Sequence, residues 1–286
     1  MRLALIGAGC WGKNYIKTIN QLSDFELTYL VSSNPESKAL VSSKTILLPT
    51  WQALREKSDY DGVIIATPPQ THILLAKNFI DKSLLIEKPL SMNLLETNAF
   101  LDLCGDHNIL VDYIHLFNPI YIRMKNLIKQ SGPVKKIKCV AGNYGPFREN
   151  VPILWDWAVH DVAICLDLLG EGLMDTTIEK YNQLDLKESL AFKLYFSGDR
   201  SASIAVSNIL DEKTKRVTVY TENDVILYDD VAKYLTVNGK IEDIETEINP
   251  LAEVLMAFKQ GKSNVNMTRL ITEFLVSIEG KIYASA

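Results

Sequence analysis

The chain has 286 residues, 47% hydrophobic and 23% charged, with a formal net charge of -5. That length exceeds one average domain and supplies apolar side chains for two cores. The acidic balance disfavours nucleic acid or an anionic membrane as the main partner, because both select a basic face.

No stretch approaches the ~18 consecutive apolar residues that a membrane helix needs. No apolar leader precedes the strand-like run starting at Leu3, so the cytoplasm is the expected setting. Cys10, Cys104, Cys139 and Cys165 form no C-x-x-C pair and read as reduced packing thiols.

In chain order, 3–6 reads as a buried strand stopped by Gly7. A helix over 11–22 follows, with Trp11, Tyr15, Ile19 and Leu22 at helical spacing. A strand at 25–31 breaks at Ser32-Ser33-Asn34-Pro35, and another at 61–66 stops at Thr67-Pro68-Pro69. Then come a helix at 70–81, a strand at 84–86, a helix at 92–106 and a strand at 109–111. Continuous apolar strands separated by amphipathic helices predict a doubly wound α/β domain with a parallel sheet, here 1–117.

After Pro119 the pattern changes. Helices are expected at 120–128 and 155–169, with a strand at 136–141 between them. Strands follow at 176–184, 189–196, 201–209, 215–220, 224–229 and 234–237, then helices at 250–259 and 267–284. Within 189–196, Ala191, Lys193 and Tyr195 alternate with Phe192, Leu194 and Phe196, which suits a sheet buried on one face. The second domain, 118–286, is therefore α+β with an open, mostly antiparallel sheet, and its last helix has the option of packing back on the first domain.

Gly7-Ala8-Gly9-Cys10-Trp11-Gly12 is a G-x-G-x-x-G run between a strand and a helix. Gly7 permits the tight turn, Gly9 a close approach of pyrophosphate to the backbone, and Gly12 close helix–strand packing. The helix start offers free N–H groups to an anion, including those of Cys10 and Trp11. Where many dinucleotide folds carry a ribose-binding carboxylate, this chain has Ser32-Ser33-Asn34, with Lys38 nearby. Small hydroxyls and a lysine suit a 2′-phosphate, which favours NADP slightly over NAD.

Glu87-Lys88-Pro89 follows the 84–86 strand, after the Thr67-Pro68-Pro69-Gln70-Thr71-His72 turn. With the glycine run and the crossover 111–119, this tripeptide resembles the Gfo/Idh/MocA oxidoreductase family. The resemblance implies a Rossmann domain plus an α/β substrate domain, and a homo-oligomer, dimer or tetramer. In inositol dehydrogenase-like members it implies catalysis by the lysine of E-K-P and by an Asp-x-x-x-His pair. Lys88 matches the first, and Asp156 with His160 the second. Residues i and i+4 share one helix face, so carboxylate and imidazole can act together.

Oxidising an alcohol requires removal of the O–H proton as hydride leaves carbon. An imidazole, with its usual pKa of about 6.5, suits that task. His160 is read as the base, Lys88 as stabiliser of the reacting oxygen, and Asp156 as an orienting group. Those first two roles are open to exchange. Thr67, Pro68, His72 and Glu87 are expected to frame the cofactor, with Glu87 also able to pair with Lys88. His115, Tyr144 and Trp157 are expected near substrate, and one of Trp155 and Trp157 in the core. Asp161 has no further ligands at recognisable spacing, so no metal is expected.

The function implied is an NAD(P)-dependent dehydrogenase or reductase of a sugar, cyclitol or nucleotide-linked sugar. The family pattern's glycine-rich run before the aspartate is absent at 150–155, which bears on the substrate entrance. Two rivals share the scaffold: a reductase of a non-sugar substrate, resembling biliverdin reductase, and a non-catalytic cofactor-sensing regulator.

Overall fold

The structure, a computed structural model, describes residues 1–105, 107–244 and 249–285. The chain divides into two units, Met1–Tyr113 with Leu251–Thr272, and Ile114–Pro250 with Glu273–Ala286. Each is described in turn.

The first unit runs β1 (Arg2–Ile6), α1 (Cys10–Gln21), β2 (Glu26–Val31), β3 (Ile46–Leu48) and α2 (Trp51–Arg55). It continues through β4 (Gly62–Ile65), α3 (His72–Ala76), β5 (Ser83–Glu87), α4 (Leu94–Cys104) and β6 (Ile109–Asp112). Its six strands lie in the order β3-β2-β1-β4-β5-β6, all parallel. Both faces are covered, so Val63, Ile64, Ile65, Leu84, Leu85 and Ile86 are wholly buried. That dryness is why these strands are apolar without alternation. The order reverses between β1 and β4, and a doubly wound sheet binds ligands outside such a switch point.

Two short elements, β3 and α2, were not anticipated. Three residues of strand and five of helix carry too little periodicity to stand out. The helix expected at 70–81 is instead a 3₁₀ turn at Pro69–Thr71, then α3, then a second 3₁₀ turn at Lys77–Phe79. Pro68 and Pro69 confine it to a late start. In α4, the Asn93 side chain accepts from Glu96 N–H at 3.0 Å, a helix cap. Gly105, at φ +53°, ends that helix. The last residue of the expected span, Asp106, lies outside the described residues.

The second unit opens with α5 (Pro119–Gln130) and β7 (Val134–Tyr144). A π-helical turn, Leu154–Ala158, leads into α6 (Val159–Leu169). Then come β8 (Leu173–Leu184), β9 (Lys187–Phe196), β10 (Arg200–Ser207), β11 (Ile209–Thr221), β12 (Val225–Asp229), β13 (Tyr234–Val237) and β14 (Lys240–Ile241). The sheet order is β14-β13-β12-β11-β7-β10-β9-β8. Only β7 and β10 pair in parallel; the rest are antiparallel. Leu190, Phe192, Leu194 and Phe196 are buried on one face of β9, while Tyr195 is exposed on the other. The chain ends with α7 (Pro250–Lys259) and α8 (Val265–Ser285).

Among the described residues no helix is long and apolar enough to cross a membrane. All four cysteines are free, with Cys104, Cys139 and Cys165 buried and Cys10 exposed.

Candidate active site

The glycines of the loop after β1 differ in what holds them. Gly7 has φ +106°, and a Cβ there would sit 2.4 Å from the Ala66 carbonyl oxygen. At Gly12 a Cβ would sit 2.1 Å from the Gly7 carbonyl oxygen. Packing within the protein therefore demands both. At Gly9 a Cβ would meet nothing within 4 Å, so no protein atom accounts for it. Gly9 is the N-cap of α1, with no acidic residue in the first turn, where N–H groups lack intrahelical acceptors. Cys10 and Trp11 form that turn. Open space in front of a helix N-terminus, walled by two indispensable glycines, fits a diphosphate.

The loop after β2 holds Ser32, whose Oγ lies 2.8 Å from that of Ser37, followed by the exposed Ser33. Asn34 caps a 3₁₀ turn at Pro35–Leu40. The Lys38 ammonium donates to the Ser42 carbonyl at 3.2 Å and to the Thr45 carbonyl.

The loops after β4 and β5 are joined by His72. Its wholly buried ring meets the Thr67 carbonyl through Nε2 and the Pro89 carbonyl through Nδ1, each at 2.8 Å. Burial leads in pushing this imidazole below its usual pKa, with Lys88 adding to the effect. Pro68 accepts from the Thr71 hydroxyl at 2.7 Å, which in turn contacts Thr67 Oγ1. His72 thus ties the switch-point turn to the lysine loop, where Lys88 precedes a cis peptide bond to Pro89.

Glu87, the last residue of β5, sits at the C-terminal edge of the parallel sheet. It pairs in register with Asp112 on the neighbouring strand, and both are buried, at 5% and 1% exposure. Tyr15 of α1 donates its phenol to Asp112 Oδ2 at 2.6 Å. Burial, chiefly, and then Asp112 push the Glu87 carboxyl well above the usual carboxylate range, against the pull of the Lys88 ammonium. Burial likewise raises Asp112, opposed by Tyr15 and Lys88.

In the second unit Asp156 sits in the π-helical turn and His160 just beyond it in α6. A π turn inside an α-helix often marks a functional site. Arg148 donates from Nε to Asp156 Oδ2 at 2.8 Å. The rings of His160 and His115 meet edge to face, with centroids 4.7 Å apart and an interplanar angle of 87°. His115 Nδ1 is 3.8 Å from Asp230 Oδ2. Asp230 Oδ1 in turn accepts from Asn118, Tyr228 and Lys233. Trp155 is wholly buried, its indole N–H donating to Glu279 at 2.9 Å, while Trp157 is half-buried. Tyr144 is 59% exposed and packs edge-on against Phe147. Asp161 is held in the core by Lys215 at 2.6 Å.

Sequence reasoning missed Tyr15, Asp112, Arg148 and Asp230. Asp112 offered a signal, a carboxylate closing the apolar strand 109–111. Tyr15 looked like another apolar position of its helix. Arg148 and Asp230 lie in no recognisable spacing.

A parallel sheet in the order 3-2-1-4-5-6 with a glycine loop at its switch point defines a Rossmann dinucleotide-binding protein. Residues 1–115 match the model of the oxidoreductase family with an NAD-binding Rossmann fold, Gfo/Idh/MocA. The chain belongs to that family. It is 25% identical over 190 residues to inositol 2-dehydrogenase of Rhizobium meliloti, a match covering 62% of this chain and 57% of that protein. It is 28% identical over 184 residues to D-xylose 1-dehydrogenase (NADP(+)) 2 of Haloferax volcanii, covering 61% and 53%. These matches span about half the length of the curated relatives. Among solved structures, a protein of Magnetospirillum magnetotacticum is 33% identical, with a TM-score of 0.87 over 96% of this chain and 98% of that one. UDP-N-acetylglucosamine 3-dehydrogenase of Acidithiobacillus ferrooxidans shares the fold at 18% identity, with a TM-score of 0.86 over 97% and 96%.

Proposed function

We propose that the protein is an NAD(P)-dependent dehydrogenase or reductase that moves hydride between nicotinamide and a carbon of a sugar, cyclitol or nucleotide-linked sugar. Support comes from the substrates named for its relatives, inositol and D-xylose, and from the residue types at the site. The observation that carries the reading is the space before Gly9, which no packing demand explains.

The α1 N-terminus and the loop Gly7–Gly12 hold the diphosphate, with Ser32, Ser33, Thr67, Pro68 and His72 shaping the rest of the dinucleotide site. Lys38 commits its ammonium to two carbonyls, so the lean toward NADP loses its cation and either form remains in the proposal. The bound nicotinamide supplies or accepts the hydride. His160 takes the hydroxyl proton, Lys88 stabilises charge on the reacting oxygen, and Asp156 orients the substrate. His115, edge-on to His160 and with its Nδ1 3.8 Å from Asp230, backs the base. Trp157 and Tyr144 are assigned to the substrate's sugar face. A homo-oligomer in the cytoplasm belongs to the same proposal.

The test separates binding from chemistry. Gly9→Ala should leave the urea midpoint unchanged yet weaken reduced-cofactor binding about tenfold or more, because its methyl enters open space meant for phosphate. His160→Ala and Lys88→Ala should keep cofactor affinity and lose about 10²–10⁴ in kcat on the best of a panel of sugars and cyclitols. Unchanged cofactor binding in Gly9→Ala sinks the dinucleotide assignment. Full turnover in His160→Ala removes the base from the proposal, and a chain that binds cofactor but turns over no panel member is the regulator.

A further inference from the structure

Two carboxyls at the C-terminal edge of the parallel sheet have no role in the chemistry above. Glu87 closes β5, Asp112 closes β6, and the two are register partners on adjacent parallel strands. Neighbouring positions in register present their side chains on the same face of a sheet. Both are more than nine-tenths buried, and one oxygen of each, Glu87 Oε1 and Asp112 Oδ1, has no hydrogen-bond partner. Asp112 Oδ2 is taken by the Tyr15 phenol, itself wholly buried on α1, the helix that follows the glycine loop. The charged and titratable groups acting on this pair are Tyr15 from α1 and Lys88 from the loop after β5.

Two carboxylates cannot both stay ionised in a dry site with vacant oxygens; one proton relieves the repulsion and supplies a donor for a neighbouring acceptor. We propose that Glu87 and Asp112 hold one proton between them and, with Tyr15, act as positioning residues that tie Lys88 to the phosphate-loop helix. The inference rests on the proposed role of Lys88 and extends it. The pair carries one negative charge beside the ammonium, and the phenol joins the helix that receives diphosphate to the strand ends that carry the lysine. When the last proton leaves, the two carboxylates repel each other and Lys88 loses its fixed place. The proton remains on the pair during turnover; no bond to substrate is made or broken by it.

The experiment has two readouts, made on the whole protein. In cofactor-free protein, an infrared pH titration should show the carbonyl stretch of one protonated carboxyl persisting above neutral pH. Glu87→Gln should abolish that band, and Asp112→Asn, which removes the neighbouring charge, should make it titrate at lower pH. In turnover, the wild type should lose kcat on the alkaline side over the range in which the band disappears. Glu87→Gln keeps the shape of the protonated acid, so it should retain neutral kcat within about threefold and lose that alkaline limb. Tyr15→Phe should lower kcat about tenfold with the substrate KM unchanged, the signature of a displaced group that acts in the transition state. Absence of the band at neutral pH overturns the shared proton. A band with an alkaline limb that Glu87→Gln leaves in place overturns the positioning role. Should Lys88→Ala turn over normally, the reading of Lys88 fails and the link to it with it, while the infrared titration still decides where the proton is held.

Discussion

Asp112 in the first unit and Asp161 in the second are equally dry, at 1% and 0% exposure, but they meet different company. Asp161 faces the Lys215 ammonium at 2.6 Å, a cation that is itself only 8% exposed. Asp112 faces a second carboxyl and a neutral phenol. Asp161–Lys215 joins opposite charges and serves as a strut between α6 and β11. A pair of like charges needs a proton to coexist, and the proton makes it responsive to pH. The difference separates a structural use of buried charge from a working one.

The comparison is broken most severely by removing one member of the opposite pair. Lys215→Met leaves Asp161 buried without its cation, and the second unit should lose about 3–5 kcal/mol. A double variant, Lys215→Met with Asp161→Leu, should recover most of that loss, since two apolar side chains of similar volume replace the pair. Urea unfolding followed at Trp155 and Trp157, which lie in this unit, measures it. A loss below about 1 kcal/mol in the single variant would mean that the pair behaves like an exposed one.

The two pairs were also unequally legible in the sequence. The sheet that carries Glu87 and Asp112 announced itself, because strands covered on both faces are apolar throughout and helices between them keep a 3.6-residue period. The glycine loop, Lys88 and His160 were visible as motifs with fixed local spacing. What stayed hidden joins distant parts of the chain. Tyr15 and Asp112 are 97 positions apart, and Lys215 and Asp161 are 54 apart. Arg148 hides for another reason: it is only eight residues from Asp156, but it reaches it from an irregular loop. The helix at 155–169 was found, whereas its π-helical start was not, since one extra residue in a turn leaves no mark in composition. The carbonyls that Lys38 meets were equally hidden, because a lysine's sequence position does not say what its flexible stem will find.

The like-charge pair offers a prediction of opposite character. Burial holds the Glu87 carboxyl well above its unfolded value of about 4.3. The native state therefore binds more protons than the unfolded chain between those two values, and stability falls as pH rises through that window. Stability from this group is complete below the unfolded pKa and is lost through the folded one. Glu87→Gln cannot ionise, so its urea midpoint relative to wild type should improve steadily as pH is raised, by about 1.4 kcal/mol for each unit of pKa elevation removed. Trp11 and Trp51 report on the first unit. A difference that stays flat between about pH 5 and about 8 would show that the folded protein, like the unfolded chain, has already given up this proton by about pH 5.

Asp230 tests the comparison from the other side with the smallest effect. Burial pushes its carboxyl up, but His115, Lys233 and Tyr228 together hold it below the usual range. Its contribution is thus present above the unfolded pKa of about 3.9 and lost as pH falls through the folded value, the reverse of Glu87. Oδ1 accepts from Asn118, Tyr228 and Lys233, and the carbonyl oxygen of Asp230→Asn can keep those three bonds. What the variant loses is the charge that faces His115 through Oδ2. The expected cost is therefore only about 1 kcal/mol near neutral pH, shrinking toward zero as the medium is acidified below about pH 4. Urea midpoints read at the second unit's tryptophans should show the cost growing with pH, where Glu87→Gln shows a gain. If Asp230→Asn costs the same at every pH, the His115–Asp230 contact works through shape and not through charge, and the second unit's ionisable groups are less tightly matched than their distances suggest.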